Sequence, residues 1–319
     1  MARLAKIFGI LVVLLLVAGE VLIVCQSALP QPQAAALPGQ AASQSARFPL
    51  TVTGDDGRQV TIKAPPRRIV SFSPGHTEVL YAIGAGDLMV GADEFSDYPS
   101  EARALPKVSY SNINLEGLVA LNPELVILVT RQKSAVAELE KLGLTVFYLT
   151  EAGTVDGILD RIRLLGKVTD HQEQAERVAA QMQQRINSVL ARLEGVAQGP
   201  SVFYELSPEL HTAGPTSFIG DLLTKLKLRN IAAGIADPFP KLSPEKIIAD
   251  NPDIVILADP EAGETSETVR ARPGWDTVRG VQPGRVVTII NRDIIHRPGP
   301  RVAEGIEMLA RQLYPERFQ

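Results

Sequence analysis

Apolar residues along the chain occur either in patterns typical of strands or with the spacing of a helix. The points where one pattern changes to the other mark the boundaries of the predicted elements. Unbroken apolar runs at 125–129 and 254–257 have the length and character of buried strands in a parallel sheet. Each run follows an Asn-Pro pair, and each pair follows a short segment with helical spacing. The two stretches, 116–128 and 245–257, align without a gap. A unit that occurs twice at this spacing predicts two similar lobes.

Strands and helices alternate within each predicted lobe. In 48–150, β-branched alternation on both sides of a Gly/Asp-rich turn predicts a hairpin, and strands and helices then follow in turn, with Ser73-Pro74-Gly75 as a turn between them. Residues 198–319 repeat this order and again begin with a strand that leads into Ser-Pro. The alternation predicts a parallel α/β sheet in each lobe.

A long helix is predicted between the lobes. From Thr154 to Leu193 apolar residues recur with a helical period and leave a polar face. The spacing slips at Asp170-His171, so an interruption of the helix at these two residues stays open. We therefore expect an α/β protein of two Rossmann-like lobes that are joined by a long spanning helix at 151–197. The cleft between the lobes is then the expected place for a ligand.

The N-terminal region has the composition of an export segment. Basic residues precede an apolar run in 1–25, which predicts a signal peptide or membrane anchor. Cys25 stands at its end, where a lipoprotein carries its lipid, so a lipoprotein, an uncleaved anchor and a cleaved signal all remain open. Residues 26–47 are rich in Ala, Gln, Pro and Ser and predict a disordered tether. The protein is therefore expected outside the cytoplasm and attached to the membrane through its N-terminus.

Composition narrows the possible partners. The chain has 319 residues, a net charge of −4 and one cysteine. This charge provides no basic field for nucleic acid, and a single cysteine excludes an internal disulfide framework.

Four motifs indicate a family: RIVSFSPGHTE at 68–78, SDYP at 96–99, NLEGLVALNPELV at 114–126 and PGRVVTI at 283–289. Together they resemble the helical-backbone substrate-binding proteins of ABC importers, which deliver cobalamin, haem and ferric siderophores. The resemblance covers about residues 48–316. It implies a monomer that hands a small molecule to an ABC permease dimer with its ATPase.

Within that family, the motifs around Ser73 and Tyr98 look most like those of the cobalamin-binding branch. The resemblance implies that Tyr98, Tyr110, Phe239 and Arg297 contact a corrinoid. The chain has Tyr and Phe where well-known relatives have tryptophan, so haem and a ferric siderophore stay open as ligands.

Residue types at the predicted cleft support this assignment. Ser73 and Gly75 lie at a strand end, where open α/β sheets bind ligands, although they could form a plain turn. Loop aromatics such as Tyr98 can offer stacking faces or simply cover the edge of a core. Arg297 could pair with a ligand or with Asp293.

Glu116 and Glu245 are the first residues of the two repeat copies. In the family, a glutamate at this place on each lobe docks into arginine pockets of the permease. A carboxylate in the first turn also complements the positive end of a helix, and the two interpretations are compatible.

The sequence contains no clear pattern for a metal site or for a catalytic site. The four histidines have no metal-ligand spacing, and although His296 could ligate iron or cobalt, a lone histidine is more often structural. No phosphate loop or nucleophile elbow occurs. We therefore expect no enzyme and no cofactor; an exported hydrolase and an adhesion or sensor module are the remaining alternatives.

Overall fold

The computed structural model describes residues 48–259 and 262–319. The predictions for 1–25, for Cys25 and for the tether at 26–47 lie outside the described residues. No helix in the described part of the chain is long and apolar enough to span a membrane.

The first lobe contains an antiparallel hairpin and a parallel sheet. The hairpin pairs β1 (Leu50–Thr53) with β2 (Gln59–Ile62), as the alternation predicts. The five parallel strands lie in the order β5-β4-β3-β6-β7. Their bounds are β3 Ile69–Ser71, β4 Met89–Asp93, β5 Lys107–Val108, β6 Leu125–Leu128 and β7 Val146–Tyr148. The helices of this lobe are α1 Pro74–Ala82, α2 Leu115–Ala120 and α3 Val136–Lys141.

The long helical segment after the first lobe consists of two helices. The helices α4 (Val155–Thr169) and α5 (Gln172–Arg192) are separated by Asp170, whose φ of 62° is left-handed and ends α4. They pack closely, since a Cβ on Gly166 would lie 2.3 Å from Cβ of Ala175. The break lies at Asp170-His171, where the slip in the apolar spacing indicates an interruption of the long helical segment.

The second lobe repeats the arrangement of the first. Its four parallel strands lie in the order β11-β10-β8-β9. Their bounds are β8 Ser201–Glu205, β9 Arg229–Asn230, β10 Ile254–Leu257 and β11 Val286–Thr288. The helices are α6 Phe218–Lys225, α7 Pro244–Asp250, α8 Ser266–Arg270, α9 Asp293–His296 and α10 Val302–Leu313. The sequence did not predict β9, α8 or α9, which have two to five residues each.

The repeat has the same local structure in both lobes. Each copy forms a short helix, α2 or α7, and then a central strand, β6 or β10. Between helix and strand, Asn122 and Asn251 both have φ of 45°. Asparagine tolerates this left-handed conformation better than most residues, and the proline that follows prevents continuation of the helix. The predicted stop and the predicted strand are therefore confirmed in both copies.

Each sheet is covered on both faces, which explains its unbroken apolar strands. Alternate strand residues, such as Ile127 in β6 and Ile256 in β10, face one large core that also contains residues of α4, α5 and α10. Their neighbours Val126 and Val255 face a separate cluster in each lobe. The predicted class, two α/β lobes joined through a spanning helix, is confirmed, and the helices are part of a core common to both lobes.

Candidate ligand-binding cleft

Loops at the carboxyl ends of the first-lobe strands bring several polar and aromatic residues to one edge. Ser73 follows β3, Phe95 and Tyr98 follow β4, Tyr110 follows β5 and Glu151 follows β7. Parallel α/β sheets bind ligands at this edge. The placement agrees with the prediction for three of these residues and adds Phe95 and Glu151.

Ser73 belongs to the start of α1. Its Oγ accepts a hydrogen bond from N of His76 at 3.4 Å and donates one to Oε1 of Glu151 at 2.7 Å. Pro74 occupies the first helical turn, where the absence of an N–H costs nothing. The predicted Ser73-Pro74-Gly75 turn was wrong, because serine followed by proline here caps a helix.

Gly75 lies between the lobes. A Cβ at this position would lie 2.8 Å from the carbonyl oxygen of Pro298, so the side chain of any other residue would push the second lobe away. The next residues of α1 continue this contact, because Glu78 accepts two hydrogen bonds from Arg301 at 2.5 and 2.8 Å. Desolvation alone would lower the pKa of the Arg301 guanidinium, but the hydrogen bonds and charge of Glu78 raise it.

Tyr98 and Arg297 take part in the same contact between the lobes. The guanidinium of Arg301 lies 3.7 Å from the centre of the Tyr98 ring, which is close enough for a cation–π interaction. Arg297 donates to Oδ1 of Asp97 at 2.5 Å and lies 3.0 Å from Oδ2 of Asp293. The predicted pairing of Arg297 with Asp293 is thus present, and Asp97 of the first lobe is a second partner.

Tyr110 packs against an aromatic residue that the prediction missed. Its ring centre is 5.8 Å from that of Phe95, and the planes meet at 76°. Phe95 is 55% exposed, which is unusual for so large an apolar side chain. Desolvation raises the pKa of Tyr110, and the charges of Glu151 and Asp93 add to the rise. Phe95 directly precedes SDYP, and its position next to that motif was the available signal.

Phe239 is presented by the second lobe. It is 55% exposed on the loop between β9 and α7, at the carboxyl end of that sheet. A neighbouring loop holds it in place, because N of Gly214 donates to the carbonyl oxygen of Pro238 at 2.9 Å. A Cβ on Gly214 would lie 1.9 Å from the carbonyl oxygen of Asp237.

A cavity with a volume of about 570 Å³ lies between the lobes. Tyr98, Glu78 and Arg301 line it, together with Arg185 of α5. Tyr110 and Phe239 are not among its lining residues. Of the predicted ligand-binding residues, Tyr98 lines this cavity, whereas Tyr110 and Phe239 lie at the carboxyl edges of the two sheets. Gly75 and Arg297 lie in the contact between the lobes, and Ser73 is buried at the start of α1.

The described residues contain no group of three or more His, Cys, Asp or Glu that could hold a metal. The Nε2 atom of His296 lies 2.7 Å from the Tyr204 hydroxyl. Burial lowers the pKa of His296 to about 4, which keeps the ring neutral near pH 7. Its observed role is structural.

Glu116 and Glu245 have equivalent positions on the two lobes. Each lies in the first turn of its repeat helix, α2 or α7, and each is exposed. The caps are also equivalent, since Asn114 accepts from N of Gly117 at 3.1 Å and Ser243 from N of Lys246 at 3.2 Å. Neither glutamate forms an ion pair with another residue in 48–259 or 262–319.

A sequence profile of periplasmic binding proteins matches residues 69–292 of the chain. The chain belongs to the periplasmic binding protein family. This periplasmic binding protein is 30% identical over 280 residues to an uncharacterized ABC transporter substrate-binding lipoprotein of Bacillus subtilis, which covers 85% of this chain and 88% of that protein. The predicted family and extracytoplasmic location are confirmed.

Two solved structures are similar to this periplasmic binding protein over about four-fifths of its length. The vitamin B12 binding protein of Vibrio cholerae is 28% identical with a TM-score of 0.69, and the match covers 80% of this chain and 99% of that one. A possible iron-binding protein from Staphylococcus epidermidis is 29% identical with a TM-score of 0.70, covering 79% and 100%. The family is one of binding proteins, whereas the sequence left a hydrolase and an adhesion or sensor module open.

Proposed function

We propose that this periplasmic binding protein captures a corrinoid between its lobes and delivers it to an ABC permease. The observation that carries the proposal is the set of exposed aromatics at the carboxyl edges of both sheets, Phe95 and Tyr98 on one lobe and Phe239 on the other. A large, flat ligand needs such stacking faces on both sides. The similarity to a vitamin B12 binding protein supports the corrinoid in particular.

A second candidate ligand has support of its own. A structure described as possibly iron-binding has about the same similarity to this chain as the vitamin B12 binding protein. Haem and a ferric siderophore therefore remain the alternatives, bound at the same edges.

Titration of residues 48–319 with cyanocobalamin, haemin and a ferric siderophore tests the choice. We expect micromolar or tighter binding of cyanocobalamin and weaker binding of the other two. A matched variant, Phe239→Ala, should lower the affinity for cyanocobalamin by about tenfold or more, as expected for the loss of one aromatic stacking face. No binding of cyanocobalamin at micromolar concentration would falsify the assignment.

We further propose that Glu116 and Glu245 dock onto the permease. They are exposed, lie at equivalent places and have no ion-pair partner among the described residues, so their charges are available to cationic pockets. Two such carboxylates, one on each lobe, suit a receptor made of two similar subunits.

The double variant Glu116→Ala/Glu245→Ala should bind ligand normally but support no transport. The double variant Glu173→Ala/Glu267→Ala is the control, because it removes exposed first-turn carboxylates from α5 and α8 instead. Equal uptake by the two double variants would show that helix-end electrostatics alone explain these residues.

Membrane attachment and oligomeric state complete the proposal. We propose that Cys25 carries a lipid and that the protein acts as a monomer beside a permease dimer. Replacement of Cys25 by Ala should release the protein from the membrane fraction, and sedimentation of residues 48–319 should give the mass of one chain. Retention of the Cys25→Ala protein would favour an uncleaved anchor.

A further inference from the structure

The pair formed by Ser73 and Glu151 lies at the floor of the cleft. Ser73 is two residues before Gly75, which contacts Pro298 of the second lobe. Glu151 is four residues before Val155, whose N donates to Oδ2 of Asp221 in α6 at 2.8 Å. Both partners are thus adjacent to places where the lobes meet, and both follow strands of the first sheet.

Glu151 presents an acceptor that the protein does not use. Ser73 is fully buried and donates its only hydroxyl proton to Oε1 of Glu151. Oε2 accepts no hydrogen bond from the residues that the structure describes, and Glu151 is solvent-exposed. The buried hydroxyl therefore orients a carboxylate whose second oxygen has no hydrogen-bond donor among the residues that the structure describes.

The charge of Glu151 is not neutralised nearby. No Lys or Arg in the described ranges forms an ion pair with it, and the negative charge of the buried Asp93 carboxylate raises its pKa. Desolvation is the main cause that raises the pKa of Glu151, and the hydrogen bond from Ser73 opposes this rise. Tyr110 is close enough for the same carboxylate to raise its pKa, so Glu151 adjoins the predicted aromatic contacts.

We propose that Glu151 contacts the ligand and selects one whose edge carries N–H donors over one whose edge carries carboxylates. An oriented carboxylate forms strong hydrogen bonds with amide N–H groups. An anionic edge would meet like charge at a place where water is partly excluded. The inference rests on the proposed function and deepens it, because a corrinoid carries primary amides around its ring, whereas haem carries two propionates.

The test compares Glu151→Gln with the unaltered protein, using cyanocobalamin, cyanocobalamin monocarboxylic acids (in which one amide is hydrolysed) and haemin. Glutamine keeps the size of the side chain and can still accept from Ser73, but it removes the charge. Glu194→Gln is the matched control, since it removes an exposed carboxylate just beyond α5. Thermal unfolding of each variant confirms that folding is unchanged.

We expect Glu151→Gln to lower the affinity for cyanocobalamin by about tenfold, the usual effect of losing one charged hydrogen bond. The unaltered protein should bind at least one monocarboxylic acid with an affinity about tenfold or more below its affinity for cyanocobalamin. In Glu151→Gln most of this difference in affinity should disappear. Haemin should bind the variant more tightly than the unaltered protein. Glu194→Gln should change none of these values.

Two failures have different meanings. If the unaltered protein binds cyanocobalamin and Glu151→Gln binds all the probes with the same affinities, the role of Glu151 is wrong and the proposed function stands. If the unaltered protein binds haemin but no cyanocobalamin, the corrinoid assignment is wrong; the effect of Glu151→Gln on haemin then still decides whether this carboxylate opposes an anionic edge.

Discussion

Gly75 lies at a close backbone contact between the two lobes. Any Cβ there would lie 2.8 Å from the carbonyl oxygen of Pro298, and a backbone atom cannot move aside as a flexible side chain can. We expect Gly75→Ala to lower the free energy of unfolding by about 1–3 kcal/mol, the usual cost of overpacking. Urea unfolding measures it. Gly153→Ala is the control, because a Cβ at Gly153 has no neighbour within 4 Å; equal effects of the two changes would contradict the interpretation.

Two buried histidines make stability depend on pH. Burial lowers the pKa of His76 to about 3 and of His296 to about 4. Below pH 6.5 the unfolded chain binds protons at both rings while the folded protein does not, so these groups remove stability as the pH falls from 6.5 towards 4.

The contribution of His296 can be measured separately from the pH dependence of the free energy of unfolding. His296→Gln removes one titrating group but can keep the hydrogen bond with Tyr204. Between pH 6.5 and 5 the variant should lose less stability than the unaltered protein, by up to about 1.4 kcal/mol for each pH unit. Urea midpoints across this range measure the difference, and parallel curves would show that His296 does not stay neutral.

The sequence predicted the position of some site residues but not the side chains that they contact. The position of Ser73 at a strand end follows from the pattern, but its partner Glu151 lies 78 residues later. Only the folded sheet brings the ends of β3 and β7 together. Local spacing contains no signal for such a pair, whereas the motif that includes Tyr98 is contiguous and was recognisable.

At the scale of elements, the repeat was the most predictable part of the chain. A helix, an Asn-Pro stop and a buried strand are all local features, and both copies form them. The break between α4 and α5 lies where the apolar spacing slips, but its cause could not be predicted, because Asp170 in a left-handed conformation ends α4 without any glycine or proline.

The two repeat asparagines should differ in their contribution to stability. Asn122→Ala places an unfavourable residue at φ 45° and should cost about 1 kcal/mol. Asn251→Ala should cost about 1 kcal/mol more, because Oδ1 of Asn251 also accepts from N of Arg279 at 2.8 Å. Chemical denaturation compares them, and Asn122→Gly should cost less than Asn122→Ala. Equal losses in both alanine variants would contradict the role of the extra bond.

At the scale of the whole molecule, the lobes share more than a connecting helix. One apolar core includes residues of both sheets and of α4, α5 and α10, and ion pairs join Glu78 to Arg301 and Asp97 to Arg297. The repeat predicted the two lobes, but these partners are about 200 residues apart in the sequence. Local patterns therefore predicted the lobes and missed the contacts between them.

Such a connection should limit closure around a ligand. We expect X-ray scattering profiles of the protein with and without cyanocobalamin to be nearly identical, because a large rotation would break the shared core. Arg301→Gln, which removes the cation that donates two hydrogen bonds to Glu78, should widen the range of lobe angles. A closure of tens of degrees in the unaltered protein would rule out this rigid connection.

The pairing of Glu78 with Arg301 also has a consequence for the order in which the chain folds. A ribosome releases Glu78 long before Arg301, which is 223 residues later. Until the second lobe has been made, this face of the first lobe stays open to solvent, and neither the burial of Glu78 nor its ion pair can form. The first lobe therefore cannot reach its final stability while synthesis continues. A chain destined for export gains from this delay, since it stays loosely folded until its last segment is complete.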